Sequence, residues 1–154
     1  MADIFISYAH EDGTIANAFH NRLTEAGLSV FRDAISLAPG SQWSQKIREE
    51  LKAARMVLVL ASQTAMQSDW VKQESAAAAL AGKRVIPVVW NIEPTQLPGW
   101  LHEYQALDLR GQDARQIQTR VETFVQQLVR EKQQLQIIVA VGLVGLAAIA
   151  IFTK

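Results

Sequence analysis

The sequence predicts an α/β domain built on a parallel sheet, followed by one apolar helix. Three observations carry this. Short apolar runs rich in β-branched residues alternate with helical patterns from residue 3 to residue 132. The strongest runs do not alternate polar with apolar, which is the pattern of strands covered on both faces. Residues 137–152 hold no charged and no polar side chain.

Residues 4–6, 28–31, 56–60 and 85–90 read as buried strands, and 106–109 is a weaker fifth. Between them, Ile15, Phe19 and Leu23 recur at four-residue spacing, and so do Trp43, Ile47 and Leu51. Ile117, Val121, Phe124, Val125 and Leu128 form the clearest apolar stripe, as expected of a helix with one face on a core. Ser41 and Asp69 are candidate N-caps, and Gly27 stands where the first helix should end. The alanine run 76–79 lets a helix approach a sheet closely, and Pro94 and Pro98 turn the region after the fourth strand into a long loop. Strict strand–helix alternation gives parallel strands, right-handed crossovers and helices on both faces. The domain is expected over residues 1–132.

Composition removes several function classes. Lys plus Arg and Asp plus Glu both total 15, so the net charge is zero, and no basic excess points to nucleic acid. The absence of cysteine excludes disulfides, thiolate metal sites and cysteine nucleophiles. Met1-Ala2-Asp3 lacks the basic start of a secretory signal, and the apolar stretch after it is too short for one.

Residues 135–152 are expected to form a transmembrane helix. Some 16–18 residues reach roughly 24–27 Å, near the lower limit of a bilayer core. A buried core helix is the competing reading, but this segment is apolar all round and would need partners on every side. Arg130 and Lys132 precede the span, and Thr153 and Lys154 follow it. Positive charge before the span places the domain on the cytoplasmic side of a single-pass protein.

In an open parallel sheet, ligands gather outside the carboxyl ends of the strands. Ser7, Tyr8 and His10 follow the first strand, Arg32 and Asp33 the second, Ser62 and Gln63 the third, Asn91 and Glu93 the fourth. Loops are polar in any case, so this grouping alone decides nothing. No glycine-rich nucleotide fingerprint and no nucleophile elbow is present. His10, His20 and His102 lack metal-ligand spacing, so no metal site is expected. Strand three ends in Ala61-Ser62, without the aspartate a phosphoryl receiver needs.

Trp70 and Glu74 are four apart, on one helix face. A carboxylate beside an aromatic wall can stabilise positive charge developing on a sugar carbon during glycosidic cleavage. The same spacing equally fits a solvated glutamate beside a packed tryptophan, and spacing alone favours that plainer account.

Four boxes occur in order. Residues 5–12, FISYAHED, resemble the opening box of Toll/interleukin-1 receptor (TIR) domains. Phe31-Arg32-Asp33 followed by Pro39-Gly40 resembles the loop after strand two, the family's BB loop. Residues 70–74, WVKQE, are similar to the WxxxE pattern of members that consume NAD, and residues 97–101, LPGWL, to a late loop of bacterial members.

The resemblance implies a flavodoxin-like fold with a five-stranded parallel sheet. It implies NAD glycohydrolase activity, releasing nicotinamide and linear or cyclic ADP-ribose, with NAD as substrate and no separate cofactor. Glu74 would be the catalytic residue, and Trp70, Tyr8, Asp33, Ser62 and His10 would line the substrate pocket. Arg32, Pro39 and Gly40 would serve self-association through the BB loop, with a membrane anchor raising local concentration. An unidentified activating partner and a role in bacterial anti-phage defence by NAD depletion belong to the same analogy. The alternative within the family is a non-catalytic adaptor working through TIR–TIR contacts. Two departures stand out: Ala9-His10 where catalytic animal and plant members often carry a basic residue, and a BB loop longer before Pro39-Gly40 than in receptor-type members.

Overall fold

The computed structural model describes residues 2–32, 45–102 and 104–152; the side chains at 45–48, 70, 74, 80, 102 and 146–152 lie outside that description. Five parallel strands form one sheet in the order β2-β1-β3-β4-β5. They are β1 (Ile4–Ser7), β2 (Val30–Arg32), β3 (Met56–Leu60), β4 (Arg84–Val89) and β5 (Leu107–Asp108). In register, Ile4 lies beside Val30 on one side and Met56 on the other, and Met56 lies beside Arg84. The expected parallel α/β architecture is therefore present.

The helices are α1 (Gly13–Glu25), α2 (Gln45–Ala53), α3 (Gln63–Gln67), α4 (Asp69–Leu80), α5 (Gly99–His102) and α6 (Ala114–Phe152). Strand alternation separates two cores. Phe5, Val57, Val59, Val85 and Val89 pack with Leu51, Val71, Ala78 and Leu101, so α2, α4 and α5 cover one face. Ile4, Ile6, Leu58, Leu60 and Val88 pack with Phe19, Leu23, Val125 and Leu128, so α1 and α6 cover the other. Phe5 stacks on Phe31 with ring centroids 5.4 Å apart, joining β1 to the edge strand β2.

Gly27 ends α1 as expected, at φ +90°, a conformation that glycine adopts without strain. Leu28 and Ser29, read from sequence as strand, belong to this turn. The Leu28 N–H bonds back to the Leu23 carbonyl, and Ser29 is engaged with Asp3. The cap of α4 also differs from expectation. Ser68 is the N-cap and accepts from the Val71 N–H at 3.5 Å, while Asp69 is already helical. Ser41 lies outside the described residues. The short helix α3, capped by Ser62, escaped the pattern because one turn is too brief for a periodic signal.

The last helix of the domain continues directly into the apolar segment: α6 runs unbroken from Ala114 to Phe152. The transmembrane expectation is not supported. Among the described residues, no helix is long and apolar enough to cross a membrane. Its first half is packed, with Val125 and Leu128 buried, whereas Leu135, Ile137, Ile138, Val139, Val141, Leu143 and Val144 are exposed.

Candidate functional site

After β1 the chain passes into α1 on one face of the sheet; after β3 it passes through α3 into α4 on the other. The two connections diverge, and a crevice opens between the carboxyl ends of β1 and β3. In this strand order that is the topological switch point, where doubly wound sheets bind ligands. A cavity of about 330 Å³ lies there, lined by Tyr8, Ala9, His10 and Glu11 after β1 and by Thr64, Gln67 and Ser68 after β3. A larger cavity, about 610 Å³, flanks β4, β5 and α6 and includes Tyr104, Arg120 and Phe124. We give precedence to the smaller one because it sits at the switch point and polar groups from two loops converge on it.

Cross-loop hydrogen bonds hold the crevice walls. The Ser62 hydroxyl donates to the Asp12 carboxylate and accepts from the Ala65 N–H at 2.9 Å. One buried side chain thus caps α3 and ties the loop after β3 to that after β1. The Gln63 N–H donates to Asn91 Oδ1 at 2.9 Å, tying in the loop after β4. Farther along the rim, Arg110 makes a fork to Asp108 (2.9 and 2.8 Å) and reaches Glu93. The Arg110 guanidinium holds the Asp108 carboxyl below its usual range, and its own pKa is raised chiefly by Asp108.

Tyr8 and His10 border the cavity, Tyr8 nearly buried in the α1-side core and His10 exposed. Ser62 is buried with its hydroxyl engaged as described, and does not itself line the cavity. Arg32 closes β2, paired in register with Ile6, one strand away from the crevice. Asp33, Pro39 and Gly40 lie outside the described residues. Trp70 and Glu74 belong to α4, whose N-cap Ser68 is at the cavity lip, but their side chains lie outside the description. Glu74 stands roughly 9 Å along the helix axis from Ser68.

Several participants were not among the expected site residues. Ser68 and Asp12 carry local signals, a capping serine before a helix and an acidic residue closing the first box. Trp100 of α5 donates its indole N–H to the Ser75 hydroxyl at 3.2 Å, bracing α4 one residue beyond Glu74. Nothing in the spacing of the sequence announces that bond. Ser7 is buried at the carboxyl end of β1, on the sheet face shared with Phe5 and α4, and its hydroxyl has no hydrogen-bond partner among the described residues. Hydroxyls, an amide, an imidazole and a carboxylate so placed can bind a polar, sugar-like ligand.

A family model described as TIR domain matches residues 4–129. A protein of Brachypodium distachyon named "Probable 2' cyclic ADP-D-ribose synthase BdTIR" is 27% identical over 97 residues, 62% of this chain and 43% of its own length. "NAD(+) hydrolase TcpA" of Theionarchaea archaeon (strain DG-70-1) is 30% identical over 93 residues, 58% of this chain and 28% of its own. The chain thus spans less than half the length of these curated relatives. Among solved structures, the TIR domain of the Toll-related receptor TRR-2 from Hydra magnipapillata superposes with a TM-score of 0.66 at 18% identity, covering 84% of this chain and 99% of that one. The TIR domains of the activated Roq1 resistosome give 0.56 at 23% identity, covering 67% and 68%. Both likenesses establish the fold.

Proposed function

We propose, on the premise that the chain belongs to the TIR domain family, that it is a NAD glycohydrolase held at a membrane and active when copies associate. The observation that carries this reading is the position of α4. The helix bearing Trp70 and Glu74 begins at Ser68 on the lip of the switch-point cavity. Two relatives with NAD-linked names support the same chemistry.

In this reading NAD binds with its nicotinamide ribose towards α4. The bond between ribose C1′ and the nicotinamide nitrogen breaks, and the electron pair leaves with nicotinamide. The Glu74 carboxylate stabilises the positive charge left on the sugar. Water then adds at C1′ and releases a proton, giving ADP-ribose; attack by a hydroxyl of the same molecule gives a cyclic form instead. Tyr8 and His10 border the site, and Trp70, Asp33 and Ser62 are assigned to substrate binding on the family resemblance alone. Arg32, Pro39 and Gly40 act in association between copies. The exposed apolar residues of α6, continued by the uncharged sequence to Phe152, enter the bilayer. The domain then faces the cytoplasm. Bacterial anti-phage defence by NAD depletion, triggered by an unidentified activator, extends this reading on the family resemblance alone.

The test is nicotinamide release from NAD by concentrated, detergent-solubilised protein. Wild type is expected to release it, and Glu74→Ala to lose on the order of 10²–10³-fold in rate, the usual effect of removing one electrostatic stabiliser. Circular dichroism should leave the fold unchanged. Retained cleavage in Glu74→Ala would sink the site assignment. If neither protein cleaves NAD while wild type still self-associates, the adaptor reading takes over, and Pro39 and Gly40 become the residues to change.

A further inference from the structure

The course of α6 relates the candidate site to the membrane. Near its start, Arg120 donates to the Asp108 carbonyl at 2.6 Å, at the carboxyl end of β5. Further on, Glu122 meets Arg22, and Glu131 meets Arg84 at the beginning of β4. Lys132 then donates to Asp3 at 2.8 Å and to the Gly27 carbonyl at 3.3 Å, beside the beginnings of β1 and β2. The helix therefore crosses the sheet from the carboxyl rim to the strand-start rim, roughly 18 Å over the 12 residues from Arg120 to Lys132. Its exposed apolar residues begin three positions later, at Leu135.

Those residues occupy every side of the helix. At 100° per residue, positions 135, 137, 138, 139, 141, 143 and 144 leave no polar stripe. A single partner helix would cover one seam and leave the remainder in water, whereas a lipid phase covers all of it. A cleft of about 420 Å³ joins this surface to the domain. Arg55, Lys132 and Asp3 form its polar end, and Leu135, Val139 and Leu143, spaced four apart, form its apolar wall. Arg55 uses one nitrogen on Asp3 at 3.2 Å and its side chain remains 45% exposed. A polar, cation-bearing end continuous with an apolar wall has the chemistry of a phospholipid, phosphate against Arg55 and acyl chain along the stripe.

We infer that the strand-start rim around Asp3, Arg55 and Lys132 is the membrane-facing surface of the domain, with a boundary phospholipid seated in this cleft. The inference rests on the membrane part of the proposed function. It adds an orientation: α6 holds the domain upright, and the switch-point crevice opens away from the bilayer. Anchored copies then associate side by side in a layer whose sites all face solution.

The chain has no cysteine, so single-cysteine labelling is clean. Lys52→Cys marks the strand-start rim and Thr95→Cys the carboxyl rim; both positions are exposed. Each full-length variant carries a fluorophore and is reconstituted into phosphatidylcholine–phosphatidylglycerol vesicles bearing a headgroup quencher. Quenching several-fold stronger at residue 52 than at residue 95 is expected. Equal quenching in protein that floats with vesicles would overturn the orientation and leave membrane binding intact. Failure to float, with soluble oligomers instead, would overturn both, because the apolar stretch would then be covered by other copies.

Discussion

At the strand-start end, one carboxylate gathers three distant segments of chain. Asp3 accepts from the Ser29 N–H and hydroxyl, both at 3.0 Å, from Lys132 and from Arg55. At the carboxyl end, the loops after β1, β3 and β4 are joined by single hydrogen bonds, Ser62 to Asp12 and Gln63 to Asn91, and a cavity lies between them. Mutual pairing at one rim engages the Asp3 carboxylate fully, although part of Arg55 stays exposed. The other rim keeps polar groups within reach of a ligand. The contrast matches the rule that stability and ligand binding reside at opposite ends of a parallel sheet.

The largest stability effect is expected where pairing is densest. Burial alone would raise the Asp3 pKa, but hydrogen bonds from Lys132 and Ser29 outweigh it and hold it at about 2. The folded value lies below the unfolded one, so the carboxylate stabilises the fold above the unfolded pKa. That contribution, about 2 kcal/mol from the size of the shift, is lost as pH falls from about 4 to about 2. Asp3→Ala should cost about 2–3 kcal/mol at neutral pH, the low end for a broken buried pair because Lys132 and Arg55 keep some solvent. Urea melts of both proteins across this pH range check it, and the variant's curve should be flatter. Glu122, held at about 2 mainly by the Arg22 fork, titrates in the same window. It is 43% exposed, so its part should fade in salt while that of Asp3 persists.

The same contrast explains what the sequence made legible. The apolar strand runs around Ile4, Met56 and Val85 and the stripe through Val125 and Leu128 announced sheet and helices, because burial repeats with a period. The opening box and the WxxxE pattern located the crevice residues Tyr8 and His10 and the helix of Glu74, since those letters are contiguous. Asp3 was not legible. Its partners lie 26, 52 and 129 positions away, and no local pattern encodes such distances. Ser62 was legible as a rim residue only. That its hydroxyl is taken up by Asp12 follows from how two loops meet in space. The change in α6 near residue 132 was legible too, because apolar periodicity gives way there to continuous apolarity.

A middle-sized effect is expected at the tie between the two crevice loops. Ser62→Ala removes the α3 cap and the partner of Asp12 together, and should cost about 1–2 kcal/mol. The outcome in the candidate site is more telling than the stability. If the Ser62–Asp12 bond holds the crevice open, the variant should bind NAD more weakly in calorimetry at a temperature where it remains folded. Unchanged affinity would reduce Ser62 to a helix cap and leave the switch-point cavity standing on its other residues.

The smallest effect is also the most specific. Trp100 reaches α4 by one indole N–H, to the Ser75 hydroxyl, which itself donates to the Lys72 carbonyl at 3.0 Å. Trp100→Phe keeps an aromatic ring and removes only that donor, so about 1 kcal/mol of stability should be lost. If the bond serves to hold α4 in place beneath Glu74, kcat for nicotinamide release should fall while KM stays near its wild-type value. Ser75→Ala should do the same, and the double variant should be no worse than either alone, because both delete one interaction. Additive losses would mean that Trp100 and Ser75 stabilise the fold separately, and that α4 keeps its position by its contacts with the sheet through Val71 and Ala78.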